Sequence, residues 1–250
     1  LAISAQAAIS SADLSSLDQI TSDFFQAHEA TNQIKALTQF GGAAFRITVS
    51  GTYAYLGLGF KLAILDISNP SAVSLVGKTE STWADQIVGI AVKGNIAYIA
   101  AGNEGLRIVD ISDKQKPKEV GFYNTPGYAW DVAVEGSVAY VADSWMGVHL
   151  IDVATPYAPR LLDTWQTDGK AMDILINQNY AIIAEEVEGI RVMSINDPTQ
   201  SAVLKLEGRA VGLAAASPYI FVAADNGGLR VVQMQSSGNE VSLREVGHLD

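Results

Sequence analysis

The octet GLRIVDIS at residues 105–112 returns in altered form as KLAILDIS at 61–68, GVHLIDVA at 147–154, GIRVMSIN at 189–196 and GLRVVQMQ at 228–235. The sixth residues of these copies, Asp66, Asp110, Asp152, Ser194 and Gln233, are spaced 44, 42, 42 and 39 residues apart. A period near 40 with several short strands in each unit fits a β-propeller rather than a helical solenoid. One such unit cannot bury both faces of its own sheet, so the chain must stack copies side by side.

Each copy offers four strand signals separated by turn residues. In the second repeat these are Val88–Val92, Ile96–Ala100, Leu106–Ile111 and Glu119–Tyr123, from the inside of the ring outward. The second strands read TYAYLG at 52–57, NIAYIA at 95–100, SVAYVA at 137–142, NYAIIA at 179–184 and PYIFVA at 218–223. Small residues alternating with aromatic and branched ones suit sheets packed face to face. Gly94 and Gly136, with Asn177 and Ser217 near the matching place, suit the tight hairpins that precede these strands. Within the third strand, Leu106, Val109, Ile151 and Val192 are expected in the core. The expected fold is therefore all-β, a propeller of five four-stranded blades over residues 41–250. The alternative is a sixth blade completed by residues 1–40 or by a second chain.

Composition excludes several function classes. A formal charge of −11 with only 16 Lys and Arg argues against a nucleic-acid partner, which needs clustered positive charge. The apolar runs are cut by Gly, Asn or Asp well before the length of a membrane-spanning helix. With no Cys there are no disulfides, thiolate zinc sites or cysteine nucleophiles. The three His, at 28, 149 and 248, hold unrelated repeat positions and suggest no metal site. No phosphate loop, dinucleotide fingerprint, GxSxG elbow or HExxH helix is present, so no cofactor is expected and an enzyme is the weaker reading.

Residues 1–40 read differently from the rest. Ala5-Gln6-Ala7 matches the small-x-small cleavage pattern of an export signal, so residues 1–7 are read as a possible signal-peptide remnant. From Asp13 to Leu37, the apolar residues Leu14, Leu17, Ile20, Phe24, Ala27, Ile34 and Leu37 approximate a helical period without Gly or Pro. This partly helical arm presents Leu14, Leu17, Ile20, Phe24, Ile34 and Leu37 either to its own ring or to a docking partner. Ile34 to Phe40 has a second reading: aligned on Gly42 it falls where other repeats place their outer strand.

The third strand and the turn after it, GLRIVDIS with Lys116-Pro117 and Val120-Gly121, and LAILDISNP with Val76-Gly77, resemble the LVIVD-repeat proteins. That family consists of β-propeller modules found mainly in secreted or surface proteins of bacteria and archaea, and the likeness runs over residues 43–250. It implies an exported propeller, extracellular or periplasmic, and says little about activity. The last two repeats depart from it, with Ser194 and Gln233 in place of the Asp.

Asp66, Asp110 and Asp152 recur once per blade, so they are spread around a ring and cannot converge on one site. Each is expected to accept a hydrogen bond from the turn that follows it. Arg107, His149, Arg191 and Arg230 share another repeat position and are expected as contacts between blades or at the surface. Residues that differ from blade to blade on the turns entering the inner strands are better candidates for specificity. These are Arg46, Trp83, Asp85, Tyr128, Trp130, Asp131, Lys170, Asp173 and Arg209, joined on the adjoining turns by Phe60, Glu104, Trp145, Glu186 and Asp225. Aromatic faces beside acids suit a glycan or a cationic side chain. The plainer reading has the aromatics packing the blade tops and the acids pairing with Arg46, Lys170 and Arg209. Asp131 and Asp173 could also serve a glycosidase as paired acids. A non-enzymatic scaffold or protein-interaction subunit is the preferred expectation, ahead of a lectin-like module and of a hydrolase.

Overall fold

The computed structural model describes residues 44–80, 83–237 and 240–250. They form five four-stranded antiparallel sheets. The first contains β1 (Ala44–Ser50), β2 (Tyr53–Leu58), β3 (Lys61–Asp66) and β4 (Ser74–Lys78). The second contains β5 (Gly89–Lys93), β6 (Ile96–Ala100), β7 (Leu106–Asp110) and β8 (Lys118–Tyr123). The third contains β9 (Asp131–Glu135), β10 (Val138–Ala142), β11 (Val148–Asp152) and β12 (Arg160–Trp165). The fourth contains β13 (Asp173–Asn177), β14 (Tyr180–Ala184), β15 (Ile190–Ser194) and β16 (Ser201–Leu204). The fifth contains β17 (Gly212–Ala216), β18 (Tyr219–Ala223), β19 (Leu229–Ser237) and β20 (Glu240–Leu249). Strand order within each sheet is chain order, so every repeat is an up-and-down meander. The helical arm and the alternative strand at Ile34–Phe40 lie outside the described residues.

The inner strands pack in succession, β1 on β5, β5 on β9, β9 on β13 and β13 on β17. Because side chains alternate across a strand, each sheet sends one set of apolar residues backward and the other forward. Val109 thus joins Ile64 and Leu62 of the first sheet. Its neighbour Ile108 joins Val141 and Ile151 of the third. Trp165 and Tyr140 meet Ile174 and Ile183 in the next seam, and Ile182 and Val192 meet Ile220 and Val232 in the one after. Leu106, Val109, Ile151 and Val192 are fully buried, as the repeat requires. Val109→Ala is expected to cost about 1–3 kcal/mol in denaturant melts. A loss under about 0.3 kcal/mol would show that β7 does not hold this register.

The structure also explains the repeated Val-Gly pair. The outer strand bulges opposite the third strand, between Ile108 and Val109 in the second sheet and between Ile64 and Leu65 in the first. A Cβ on Gly121 would lie 2.0 Å from the carbonyl oxygen of Pro156, and one on Gly77 would lie 2.3 Å from that of Lys114. The outer strand therefore touches the main chain of the next repeat at a point where only Gly fits. Asp66, Asp110 and Asp152 each accept a hydrogen bond through Oδ1, from the backbone N–H groups of Ser68 (2.8 Å), Ser112 (2.8 Å) and Ala154 (3.0 Å). The turn roles expected for these three carboxylates are what the structure shows.

Five sheets make four apolar seams among the described residues; no such cluster joins the fifth sheet to the first. Equivalent positions measure the difference. Ile90, Val132 and Ile174, each on an inner strand facing the preceding sheet, are 5%, 3% and 2% exposed, whereas their counterpart Ile47 on β1 is 38% exposed. Leu106, Val148 and Ile190 face the following sheet and are 0% exposed, whereas their counterpart Leu229 on β19 is 39% exposed. Among the described residues the five sheets thus form an arc, with the seam between the fifth and the first unpacked.

Candidate functional site

Gly89, Asp131, Asp173 and Gly212 open the inner strands β5, β9, β13 and β17, and Arg46, the third residue of β1, holds the equivalent place in the first sheet. In the last four sheets the opening residue pairs with the closing Ala of the second strand: Ala100, Ala142, Ala184 and Ala223. These positions meet on the axis. Arg46 of the first sheet places Nη2 2.9 Å from Asp131 Oδ2 of the third and 3.4 Å from Asp173 Oδ1 of the fourth. Asp173 also accepts hydrogen bonds from Ile174 N (2.9 Å) and from Leu213 N of the fifth sheet (2.7 Å). On the second sheet Gly89 makes room, since a Cβ there would sit 2.6 Å from both Cα and Oδ1 of Asp131.

Two carboxylates share one guanidinium, and both are almost wholly buried, Asp131 at 2% and Asp173 at 4% exposure. Burial pushes the Asp131 carboxyl well above the usual carboxylate range; the Arg46 charge opposes this and the Asp173 carboxylate reinforces it. Asp131 Oδ1 has no hydrogen-bond partner among the described residues. The trio fastens sheets one, three, four and five across the axis.

Above the axis, on the face formed by the turns into the inner strands and between second and third strands, the other expected residues fall into pairs. Lys170 lies 3.5 Å from Glu186 and has its ammonium 5.3 Å from the centre of the Trp145 ring. Arg209 reaches both Glu186 (2.5 Å) and Asp225 (3.4 Å). The rings of Tyr128 and Trp130 are 4.6 Å apart and tilted. Asp85 accepts from Gln86 N (2.7 Å) and from Asn103 N and Nδ2 (3.1 and 2.6 Å); these bonds outweigh its partial burial and hold its carboxyl below the usual range. Trp83 stands apart from this group: it is buried in the first seam and donates through Nε1 to Glu119 Oε2 at 2.6 Å. Phe60 is exposed on its turn, and Glu104 pairs with Arg107 at 2.6 Å.

The turns between second and third strands carry backbone strain on this face. Gly59 and Gly102 adopt positive φ there, and so do Ser144 (55°), Glu186 (49°) and Asp225 (50°), where the left-handed conformation costs a side-chain-bearing residue free energy. Gly102, Ser144 and Glu186 each bridge to an Ala two residues before the axial position of the next repeat: Ala129, Ala171 and Ala210. The strained turns are thereby tied to the strands that hold the axial trio.

The third-strand charges differ from expectation. Arg107, His149 and Arg230 are buried and Arg191 half-buried, and their partners are mostly in their own repeat rather than in a neighbouring sheet or in solvent. Arg107 pairs with Glu104 and Glu119, and Arg191 with Glu185 and Asp168. Arg230 pairs with Glu207, Glu245 and Asp250. His149 Nε2 lies 3.0 Å from Asp143 Oδ2 and its Nδ1 3.0 Å from Thr164 Oγ1. Asp143 and Glu185 went unread in the sequence, although both stand six residues before their partners. That shared offset was the available signal. The arm positions Leu14, Leu17, Ile20, Phe24, Ile34 and Leu37 lie outside the described residues.

The model of the LVIVD repeat matches residues 41–80, 87–125, 126–167 and 168–205. The chain belongs to the LVIVD-repeat family. The matches coincide with the first four sheets, and the fifth sheet, in which Gln233 stands at the Asp position, lies beyond them. No curated protein matches the chain. Among solved structures it is similar to the β-propeller domain of Cps50 (Swd1) from Myceliophteria thermophila, at TM-score 0.67 and 11% identity over 83% of this chain and 72% of that one. It is also similar to the computationally designed Ika8 protein, at TM-score 0.61 and 12% identity over 77% and 58% of the two chains. A third similar structure is BamB from Moraxella catarrhalis, at TM-score 0.58 and 13% identity over 78% and 60%. At these identities the likeness is one of fold, and the match spans under two thirds of Ika8 and of BamB.

Proposed function

We propose that this LVIVD-repeat propeller is a non-enzymatic protein-interaction module, a subunit of an exported, extracellular or periplasmic assembly, which receives its partner on the face above the axial trio. The observation that carries this reading is Trp145, 60% exposed at the tip of a strained turn, with Met146 beside it (44%) and Phe60 (46%) and Val187 (45%) on the equivalent turns of other sheets. Exposed aromatic and apolar side chains at the centre of a surface are the usual anchors of protein interfaces. The ionised groups around them, Glu186, Asp225, Lys170 and Arg209, are paired with one another, so desolvating this face leaves few charges without a partner. The family resemblance supports export.

Trp145→Asp is the test. It is expected to weaken co-purification with partners from the source cells about tenfold or more while the melting temperature stays within about 2 °C. Undiminished co-purification would exclude this face. A lectin-like role is the second reading, favoured by the Lys170, Glu186 and Trp145 cluster, where a sugar would stack on the ring face that Lys170 leaves free. It is distinguished on a glycan array, where Trp145→Ala would abolish binding and leave assembly intact. A hydrolase built on Asp131 and Asp173 would need substrate to reach carboxylates that are 2% and 4% exposed. It would show turnover that Asp131→Asn removes.

A further inference from the structure

We propose that the unpacked seam between the first and fifth sheets is the seat of this chain's own N-terminal 43 residues. The seam has two open apolar walls. One is formed by Ile47 (38% exposed) and Val49 (55%) on β1, the other by Leu229 (39%) and Leu249 (40%) on β19 and β20. At the matching positions of the other sequential sheets the apolar side chains are buried or half-buried, so these walls are built for a cover rather than for water.

Two observations identify the cover. Its frame fits: counting from the axial residue of each repeat, Gly42 aligns with Gly127, Gly169 and Gly208, and Ala44 with Ala129, Ala171 and Ala210. In that frame residues 34–38 fall on residues 119–123 and 161–165, which are outer-strand segments of β8 and β12. The segment thus carries the sequence of an outer strand preceding the first sheet, and it joins β1 directly. Finally, farther out on the open wall of the first sheet, Ala54 and Leu65 are 2% and 6% exposed, yet they belong to none of the four apolar clusters formed by described residues.

The absence of Cys makes the test direct. Ile47→Cys is introduced into the full chain and its reaction with a maleimide is compared with that of Phe122→Cys, an exposed site on β8. At concentrations where the protein is monomeric, Ile47→Cys is expected to react about tenfold or more slowly than Phe122→Cys. Adding Ile34→Asp and Leu37→Asp should restore fast reaction while circular dichroism keeps its β signature. Equal rates at the two single-cysteine sites would overturn the proposal. So would protection that appears only as concentration rises, which assigns the seam to a second copy, or protection that survives Ile34→Asp and Leu37→Asp.

Discussion

Replacing Arg46 by Met is expected to destabilise the fold by about 3 kcal/mol, because it leaves two buried carboxylates on the axis without their counter-charge. Asp131→Asn, which removes one of the two competing acids at nearly constant shape, should change stability at pH 7 by less than about 1 kcal/mol. The pH dependence distinguishes the variants. A carboxyl whose folded pKa is raised, as for Asp131, binds its proton more tightly in the folded state. Its stabilising contribution is complete below its unfolded pKa, about 3.9, and is lost as pH rises through the folded value. Stability of the parent relative to Asp131→Asn should therefore fall as pH is raised from about 4. Without Arg46 the raising effect is unopposed by its strongest counter-charge, so Arg46→Met should gain stability more steeply on acidification from pH 7. Guanidinium melts across this range measure both. An Arg46→Met loss below about 1 kcal/mol, or an Asp131→Asn loss equal to that of Arg46→Met, would show that the trio does not hold the axis.

Ile151→Ala is the second large effect, expected to cost about 3 kcal/mol, with the range for such truncations about 2–5. Ile151 is fully buried in the second seam with Leu106, Ile108 and Val141. That seam joins the second and third sheets in the middle of the array. In a repeat array each sheet is stabilised by its immediate neighbours, so the cavity weakens two sheets together. Leu162→Ala, on the outer strand of the same sheet and 53% exposed, is expected to cost under about 1 kcal/mol. Comparable losses for the two in the same denaturant melt would mean that the third sheet packs the other way round.

The number, order and strand content of the sheets were legible in the sequence because they follow from packing between neighbours. Each repeat must present Val109-like and Ile108-like residues to opposite seams, and that demand recurs about every 40 residues as a pattern. The Asp66, Asp110 and Asp152 turns were legible for the same reason, since each carboxylate bonds to a backbone group two residues away. Candidate residues for the upper face were also legible as the positions where repeats disagree.

What the sequence could not decide is which of those residues meet. Arg46 and Asp173 are 127 residues apart and in non-adjacent sheets, yet the axis brings them into one ion-paired group with Asp131. Trp83, read with them, turns instead into a seam and bonds to Glu119, because its place on the turn lies six residues before the axial position, beside the outer strand of the second sheet. The open fifth seam was hidden too. Ile47 carries the same apolar signal as Ile90, Val132 and Ile174, yet among the described residues no sheet packs before it. Periodicity records what each repeat offers to its neighbours; only the tertiary structure shows which seam the described residues leave open and what the axis gathers together.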